Sequence, residues 1–426
     1  MTYPAATRYV EGLAILGMRF GLERMTALLR ALGDPQHASP AIHVVGTNGK
    51  SSTARLCAAC LRSQGLRVGT YLSPHIVGWR ERIEVDQRAI GQARFAHAVG
   101  AVRDAAAGLD LADDDGVTQF EVLTAAAFVV FADARVEVAV IEAGLGGRYD
   151  ATNVLAAGTV LVLTNVALEH TELLGTTEAE IAAEKLAVAA DSSDRLIVGR
   201  LSLRAQTAVA AECRSRGLSG WRVGYEIDVT EGSRGVDVVT PTGTYAALPL
   251  PLRGAFQRDN LAAAVAAAER RLGAPMGIGP LRRGIGRVRM PGRLEVVAQR
   301  PLIVLDGAHN PAGVEAMAGS LRAIVGRRPT VAVVSILGDK DAGAMLAPLA
   351  GVCQTVIATR SSHPRAAAPQ VISHLAAIAG MAALIVEDPV QAVRQARAMA
   401  GARGAVLVCG SLYLLADVRE WVLAGA

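Results

Sequence analysis

Short runs of consecutive hydrophobic residues alternate with stretches of helical periodicity along most of the chain. Residues 5–33 place their hydrophobic residues at helical spacing and end in a Gly-Asp-Pro turn, which is typical of a helix stop. Farther on, the runs VEVAVIEAG (136–144) and TVLVLTNV (159–166) are continuous and of strand length. Uninterrupted hydrophobic strands separated by helices indicate a parallel sheet that helices cover on both faces.

The stretch 222–252 differs from the rest of this first region. Its short, turn-separated strand patterns predict a small antiparallel patch: WRVGYEIDV, RGVDVVT and TYAALPL. The pattern LAAAVAAAERRLG at 261–273 then predicts a return to helix.

A second series of strand patterns fills the last third of the chain. Five hydrophobic runs with helical stretches between them predict a Rossmann-like α/β domain: 301–309, 330–338, 355–359, 382–387 and 404–411. Turn residues follow a helix at 290–293, and we place the joint between two domains there. The predicted domains are therefore 1–294 and 295–426.

Composition narrows the class of protein. A chain of 426 residues with 51% hydrophobic residues can build two domains with a core in each. A net charge of +4 gives no basic stripe for nucleic acid. The first residues lack the hydrophobic run of a signal peptide, and no hydrophobic stretch reaches the ~18 residues of a membrane span. We expect a cytoplasmic monomer without a nucleic-acid or membrane partner.

Five scattered cysteines fit a reduced intracellular protein. Cys57 and Cys60 have the C-x-x-C spacing of a redox motif. They lie among small hydrophobic residues in the middle of a predicted helix, so we expect buried structural thiols instead.

The stretch IHVVGTNGKSST at 42–53 combines a predicted strand, a glycine-containing turn and a predicted helix. This order aims backbone N–H groups and a helix N-terminus at an anion. Lys50 would reach the β- and γ-phosphate oxygens of a nucleotide, and Ser51 or Ser52 could contact Mg²⁺. The common P-loop has a glycine five residues before Gly49, where this chain has Val44, so the loop is a shorter variant. The alternative is a plain strand-to-helix turn.

A mononucleotide site of this type also needs a group that holds the metal. Glu142 ends a predicted buried strand, at the sheet edge where open α/β folds bind ligands. We predict that it holds Mg²⁺ rather than capping the next loop, since this ion prefers a few oxygen ligands and water. The glycines of GLGG (144–147) would let a ligand approach the backbone closely.

His170 and Lys185 follow the next predicted strand. A lone histidine is more often structural than a ligand. Lys185 lies on a helix predicted to begin near 176–177, and it has no acidic residue three or four positions before it. Lys185 could therefore face inward, but spacing alone gives neither residue a role.

Ten stretches, in order from residue 43 to 414, resemble the folylpolyglutamate synthase/dihydrofolate synthase family of the Mur ligase superfamily. They are HVVGTNGKSST, YLSPHI with GWRERI, VTQFEVLTAAAF, IEAGLGGRYDATN, EHTELLGTTEAEIAAEKLA, FQRDN, MPGRLE, LDGAHNP, GDKD and GSLYL. GTNGK alone would fit other Mur ligases, whereas AGLGGRYDATN together with DGAHNP points to the folate branch.

The resemblance implies a fold and a reaction. The fold is α/β, with a Mur-ligase-like P-loop ATPase domain followed by the Rossmann-like C-terminal domain. The reaction is ATP-dependent: ATP phosphorylates a carboxylate of dihydropteroate or a reduced folate, and L-glutamate displaces the phosphate. The alternatives are another Mur-type amino-acid ligase, such as one for peptidoglycan precursors, and an ATP-binding regulatory protein without ligase activity.

The family motifs also imply site residues. Nine fall on the nucleotide site: Asn48, Gly49, Lys50, Ser51, Ser52, Asn260, Arg293, Asp306 and His309. Four fall on magnesium positions, the last of them once CO₂ has carbamylated it: Ser73, Glu142, His170 and Lys185. Seven fall on the pterin pocket: Thr118, Gln119, Phe120, Glu121, Tyr149, Asp150 and Ala151. Phe120 could stack on the pterin ring while Glu121 hydrogen-bonds its amino group. Lys50, His170 and Lys185 are the implied catalytic residues.

Two positions depart from the family pattern. Glu169 stands before His170 where aspartate is typical, so Glu169 receives no site role. Ser51 and Ser52 follow Lys50 where Gly-Ser or Gly-Thr is usual, which leaves open which serine approaches Mg²⁺.

Two residues of the second domain, His309 and Lys340, could also have purely structural roles. His309 could cap the turn before Pro311 instead of contacting the nucleotide. Lys340 could pair at the surface with Asp339 or Asp341, which would contribute little.

Overall fold

The computed structural model describes residues 1–13, 21–110, 116–190 and 193–425. The internal contacts divide the chain into two compact units. The first unit comprises Met1–Pro251 and Gln257–Val288, and the second comprises Leu252–Phe256 and Arg289–Ala426. The predicted domains, 1–294 and 295–426, differ from these units in residues 252–256 and 289–294, which pack with the second unit.

Within its described residues, the first unit is built on one sheet of eight strands. They are β1 (Ala41–Val45), β2 (Val68–Tyr71), β3 (Ile83–Val85), β4 (Arg88–Ala89), β5 (Val138–Glu142), β6 (Val160–Leu163), β7 (Leu196–Val198) and β8 (Gly220–Arg222). The spatial order is β4-β3-β2-β5-β1-β6-β7-β8. In this spatial order, the neighbouring strands β2-β5-β1-β6-β7-β8 all pair in parallel, whereas the pairs β2–β3 and β3–β4 are antiparallel. The carboxyl ends of β1, β5 and β6 therefore meet at the middle of one edge, where open α/β sheets bind ligands.

Helices pack on both faces of this sheet, and further helices pack on those. They are α1 (Tyr3–Gly12), α2 (Glu23–Ala31), α3 (Lys50–Ser63), α4 (Gln92–Ala107), α5 (Gln119–Asp133), α6 (Thr171–Leu174), α7 (Glu178–Leu186), α8 (Leu203–Ser215), α9 (Phe256–Leu272) and α10 (Ile278–Ile285), with 3₁₀ turns at Pro35–His37 and Trp79–Arg82. Ala139 and Ile141 of β5 pack with residues of α1, α2, α4 and α5. Alternate residues of a strand point to opposite faces, and α3 packs on the other side of β5.

The helical pattern at 5–33 corresponds to α1 and α2, and its residues 14–20 lie outside the described part of the chain. On α3, Cys57 and Cys60 are free and fully buried, and burial raises the pKa of both thiols. The expected structural thiols are confirmed.

A separate antiparallel sheet of three described strands follows the large one. It contains β9 (Asp228–Gly232), β10 (Gly235–Val239) and β11 (Thr244–Leu248). The predicted patch is confirmed for these strands but was wrong for residues 221 and 222. They belong to β8, which pairs in parallel with β7 at the edge of the large sheet.

The described part of the second unit holds a sheet of six strands. They are β12 (Glu295–Gln299), β13 (Leu302–Leu305), β14 (Thr330–Val334), β15 (Thr355–Ala358), β16 (Ala382–Ile385) and β17 (Ala405–Cys409), in the order β12-β13-β17-β14-β15-β16. All pairs are parallel except β12–β13. The five predicted strands are confirmed, and the antiparallel edge strand β12 was not predicted.

The described residues of the second unit form five helices, of which the first four join its strands and the last follows β17. They are α11 (Pro311–Val325), α12 (Ala342–Leu346), α13 (Pro369–Ile378), α14 (Pro389–Ala400) and α15 (Leu412–Ala424), with a 3₁₀ turn at Ala347–Gly351. Among all helices of the described chain, none has the length and hydrophobicity that crossing a membrane requires.

Candidate active site

The predicted strand, turn and helix of the phosphate loop are β1, residues 46–49 and α3. Gly46 and Gly49 have φ angles of +143° and +81°, which only glycine adopts at little cost. The lack of room for a side chain also requires glycine at both positions. A Cβ atom on Gly49 would lie 2.7 Å from Oδ1 of Asn260, and one on Gly46 would collide with the Thr164 hydroxyl. The loop is therefore tightly enclosed, and Asn260, which lies on α9, comes close to it.

The segment after β6 holds the phosphate loop in place. Asn165 accepts hydrogen bonds from two loop N–H groups, that of Thr47 at its backbone oxygen (3.1 Å) and that of Asn48 at Oδ1 (2.8 Å). In return, the Thr164 hydroxyl donates to the Asn48 carbonyl at 2.7 Å. Thr164 and Asn165 were not predicted as site residues. The signal for them was their position at the end of a hydrophobic strand beside β1.

Two lysines converge on one carbonyl oxygen of this loop. Nζ of Lys50 and Nζ of Lys185 each donate to the Gly46 carbonyl at 3.0 Å, and Lys50 also donates to that of Thr47. Lys185 is 2% exposed, so the expectation that it faces inward is confirmed. Burial, reinforced by the Lys50 charge, lowers the pKa of the Lys185 ammonium to about 7. Its amine is therefore partly uncharged near neutral pH.

Glu142 receives hydrogen bonds from two of the predicted site residues. It is 1% exposed at the end of β5, and its Oε1 accepts from the Ser51 hydroxyl at 2.7 Å. Its Oε2 accepts from the Ser73 N–H at 3.0 Å. Ser52 faces elsewhere, since its hydroxyl accepts from Nε2 of Gln257 at 3.3 Å. Of the two serines after Lys50, it is Ser51 that lies beside the carboxylate.

This set of oxygen donors fits Mg²⁺. One carboxylate and one hydroxyl suit a hard cation that keeps several waters or phosphate oxygens. A protein-only cage is not formed, because no group of three or more His, Cys, Asp or Glu side chains comes together among the described residues. His170 begins the short helix α6 in the left-handed conformation, with Nε2 3.9 Å from Oε1 of Glu169. Its metal role stays a prediction.

The predicted pterin residues 118–121 form the N-terminus of α5. Thr118 and Glu121 make a capping box, in which each side chain accepts a hydrogen bond from the other's backbone N–H (3.2 and 2.7 Å). Glu121 also pairs with Arg24 of α2 at 3.2 Å, and Gln119 donates to the Val10 carbonyl. The Glu121 carboxylate thus has structural partners, and its contact with a pterin amino group stays a prediction.

Phe120 lies against the glycine-rich segment after β5. A Cβ atom on Gly144 would approach the Phe120 ring to 2.5 Å, so only glycine lets the ring lie this close to the backbone. The Tyr71 ring lies 6.0 Å from that of Phe120, centroid to centroid. Gly147 is equally confined, because its Cβ would meet the Glu184 carbonyl of α7 at 2.6 Å. The GLGG glycines are thus required by packing within the protein.

The predicted pterin residues 149–151 differ in exposure. Tyr149 is 38% exposed, whereas Asp150 and Ala151 are buried. The Asp150 carboxylate accepts from the N–H groups of Leu145 (2.8 Å) and Thr152 (3.0 Å). Burial raises the pKa of this carboxyl, and these hydrogen bonds oppose the shift.

In the second unit, Asp306 lies at the carboxyl end of β13 and is 2% exposed. It accepts from the N–H groups of Leu294 and Ala308, both at 2.8 Å, and burial raises the pKa of its carboxyl while the Arg293 charge opposes the shift. The Arg293 side chain lies beside Gly307, where a Cβ atom would collide with it. The structure therefore brings Arg293 and Asp306 close together.

The contacts of His309 and Lys340 bear on the structural roles considered for these residues. Nδ1 of His309 lies 2.8 Å from the Gly307 carbonyl, and the residue that caps α11 is Asn310. The Gly307 carbonyl belongs to the turn before Pro311, so this contact agrees with the alternative in which His309 caps that turn, and the nucleotide contact of His309 stays a prediction. Lys340 pairs with Asp339 at 3.5 Å, whereas Asp341 caps α12.

Comparisons with known proteins agree with this geometry. Residues 44–268 match the Mur ligase middle domain, and residues 292–412 match the Mur ligase glutamate ligase domain. A dihydrofolate synthase/folylpolyglutamate synthase of Mycobacterium tuberculosis is 36% identical over 81% of this chain and 75% of its own.

Two solved structures have the same fold over nearly their whole length. Mycobacterium tuberculosis folylpolyglutamate synthase complexed with ADP has a TM-score of 0.91 at 33% identity, covering 99% of both chains. E. coli FolC in complex with DHPP and ADP has a TM-score of 0.89 at 30% identity, covering 100% of this chain and 98% of that one. The chain therefore belongs to the folylpolyglutamate synthase/dihydrofolate synthase family of Mur ligases, which are ATP-dependent ligases that add glutamate to folates.

Proposed function

We propose that this ligase acts on dihydropteroate, on reduced folates or on both, through an acyl phosphate, with the residues described above in the following roles. The observation that carries the proposal is the convergence of Lys50, Ser51, Glu142 and Lys185 around one enclosed phosphate loop. The substrate carboxylate attacks the γ-phosphorus of ATP, and the bond to the bridging oxygen breaks to release ADP. The α-amine of L-glutamate then attacks the carbonyl carbon, loses a proton and displaces phosphate.

A phosphate loop suits this chemistry because a free carboxylate is a poor electrophile, whereas an acyl phosphate carries a good leaving group. The protein mainly aligns the reactants and neutralises charge as the phosphoryl group moves. Gly49 and Lys50 would supply N–H groups and one cation for this purpose, and Asn48, whose own N–H donates to Asn165, is a further proposed nucleotide contact. Lys50 would exchange its bonds to the Gly46 and Thr47 carbonyls for phosphate oxygens.

Ser51 and Glu142 are the residues that would hold Mg²⁺, and their 2.7 Å contact supports the assignment. Ser73, His170 and a carbamylated Lys185 are further proposed ligands. When bound, the ion neutralises phosphate charge. Glu142 is already fixed by the Ser73 N–H, so its carboxylate needs little reordering.

The carbamate is proposed because Lys185 is buried beside a second cation. The ammonium would first lose one proton, and the amine nitrogen would then bond to the carbon of CO₂ and lose a second proton, which replaces a cation by an anion. Two cations then no longer share the Gly46 carbonyl.

The pterin site is proposed at Phe120 and residues 149–151. The half-buried Phe120 ring is of the kind on which a flat heterocycle stacks, and the fully buried Tyr71 ring lies 6.0 Å from it. E. coli FolC, which has the same fold, was solved in complex with DHPP and ADP. Asn260, Arg293, Asp306 and His309 are proposed nucleotide contacts.

A cytoplasmic location and a monomeric state are part of the proposal. All five cysteines lie in the described ranges and are free, which suits a reducing compartment.

The test is ADP release measured with dihydropteroate and with tetrahydrofolate side by side, with and without L-glutamate. We expect ADP release to require one pterin substrate and Mg²⁺, and product formation to require glutamate. ATP hydrolysis that neither the pterins nor glutamate changes would overturn the proposal and favour an ATP-binding regulatory protein.

A further inference from the structure

A histidine lies in the middle of the hydrophobic strand that leads into the phosphate loop. His43 of β1 is 2% exposed, and its neighbours in register are Ile141 of β5 and Leu161 of β6. A buried polar side chain is costly unless it is hydrogen-bonded. Nε2 of His43 lies 2.7 Å from Oγ1 of Thr152, which is itself fully buried.

The Thr152 hydroxyl links His43 to Asp150 through two hydrogen bonds. The hydroxyl donates its single proton to Oδ1 of Asp150, so it must accept a proton from His43. This requires the tautomer of His43 with hydrogen on Nε2. Burial lowers the pKa of His43 to about 3, so the imidazole is neutral at physiological pH. A neutral imidazole has a single N–H, which here is on Nε2.

These hydrogen bonds hold both ends of the segment 145–152. Asp150 accepts from the N–H of Leu145 through Oδ2 and from that of Thr152 through Oδ1. Between these ends lie Gly147, which touches the backbone of the helix that carries Lys185, and the proposed pterin residues 149–151. The central strand β1 thus fixes the segment 145–152 through three side chains.

We propose that His43 is a positioning residue for the pterin substrate, which acts through Thr152 and Asp150 to hold the segment 145–152 in its binding conformation. This inference rests on the proposed pterin site at 149–151. If His43 served only to fill the core, its loss would lower the stability of the whole protein without a selective effect on pterin binding.

Matched threonine variants separate these two cases. Thr152→Val keeps the volume but removes the hydroxyl, and Thr152→Ser keeps the hydroxyl. Thr240→Val is the control, because the Thr240 hydroxyl also donates to a buried carboxylate, that of Glu269, at the antiparallel sheet. His43→Phe removes the donor, and His43→Gln keeps an N–H at the position of Nε2.

We expect Thr152→Val and His43→Phe to raise KM for the pterin roughly tenfold, as the loss of one buried hydrogen bond of ~1–2 kcal/mol would do. KM for ATP should change less than about twofold. Thr152→Ser and His43→Gln should restore most of the pterin KM, and Thr240→Val should lower Tm without changing either KM. Equal changes in both KM values, or none at all, would overturn the inference.

Hydrogen–deuterium exchange on the full chain gives a readout that does not need turnover. Exchange in 145–152 should rise in Thr152→Val and His43→Phe but not in Thr240→Val. If exchange rises as expected while the wild-type protein fails to bind dihydropteroate or tetrahydrofolate, the proposed pterin site fails and the segment-holding network stands. Unchanged exchange in 145–152 in both variants would overturn the network itself, including when a variant is too unstable for kinetics.

Discussion

The Ser51 hydroxyl lies 2.7 Å from Oε1 of Glu142, and this contact joins the first turn of α3 to the carboxyl end of β5. Ser52, one residue further, turns towards Gln257 instead. Successive residues of a helix point about 100° apart, so only one of the two hydroxyls can face the carboxylate. The contact therefore distinguishes two serines that the sequence leaves equivalent.

Ser51→Ala should weaken the response to Mg²⁺ much more than Ser52→Ala does. Loss of a metal-binding oxygen or of its support typically lowers metal affinity or activity by ~10–100-fold. Initial rates over a Mg²⁺ titration measure the difference, and Ser52→Ala is the matched control. A larger effect in Ser52→Ala would contradict the assignment.

Lys50→Ala should lower kcat by about 10²–10³, because the transition state loses a charge held beside the transferred phosphoryl group. Single-turnover ADP formation measures the chemical step. Lys50→Arg keeps the charge but changes its shape, and we expect it to remain impaired as well. A near-normal rate in Lys50→Ala would exclude this role for the loop lysine.

Lys185→Ala should be nearly inactive, and a small carboxylate such as acetate should restore part of its activity by supplying the missing anion. The wild-type enzyme should lose activity in buffer freed of CO₂ and regain it with bicarbonate. Steady-state rates with and without each additive test both statements. Full activity of Lys185→Ala without any additive would show that no carbamate is needed.

The buried Lys185 should also shape stability against pH when it is unmodified. Its folded pKa is about 7 and its ordinary value is 10.5. Between these pH values the unfolded chain binds more protons than the folded one, so the free energy of unfolding rises with pH from about 7 towards 10.5. Lys185→Met should remove this rise. Urea unfolding of both proteins in CO₂-free buffer at several pH values measures it, and parallel profiles would refute the expectation.

Phe120→Ala should raise KM for the pterin by more than it raises KM for ATP, since stacking on a pterin ring would be lost. The control is Phe128→Ala on the same helix, because Phe128 is 2% exposed in the core. We expect the control to lower Tm while leaving the ratio of the two KM values near that of the wild type. The same ratio in both variants would indicate general destabilisation only.

One edge strand of each sheet, β8 and β12, was not predicted as part of its sheet. The central strands are continuous hydrophobic runs because both faces are buried, and periodicity detects such runs. β8 has three residues and β12 is partly exposed, so neither has a pattern of its own. Their place depends on the strand beside them, β7 for one and β13 for the other.

Glu121 and the capping box illustrate a signal that was present in the sequence but interpreted differently. Thr118 and Glu121 are three residues apart before a hydrophobic run, the spacing of a helix N-terminus. The family motif drew attention to a pterin contact instead. The pair with Arg24 could not be foreseen, because it joins helices about one hundred residues apart in sequence.

The sequence by itself determined the α/β fold, the family and the phosphate loop, since strand patterns and a strand–turn–helix motif are properties of consecutive residues. Only the tertiary structure decided that Ser51 rather than Ser52 faces Glu142, that Lys50 and Lys185 share the Gly46 carbonyl, and that His43 reaches Asp150 through Thr152. These contacts join residues far apart in the chain. Their geometry follows from the order in which β1, β5 and β6 lie side by side, which no local pattern encodes.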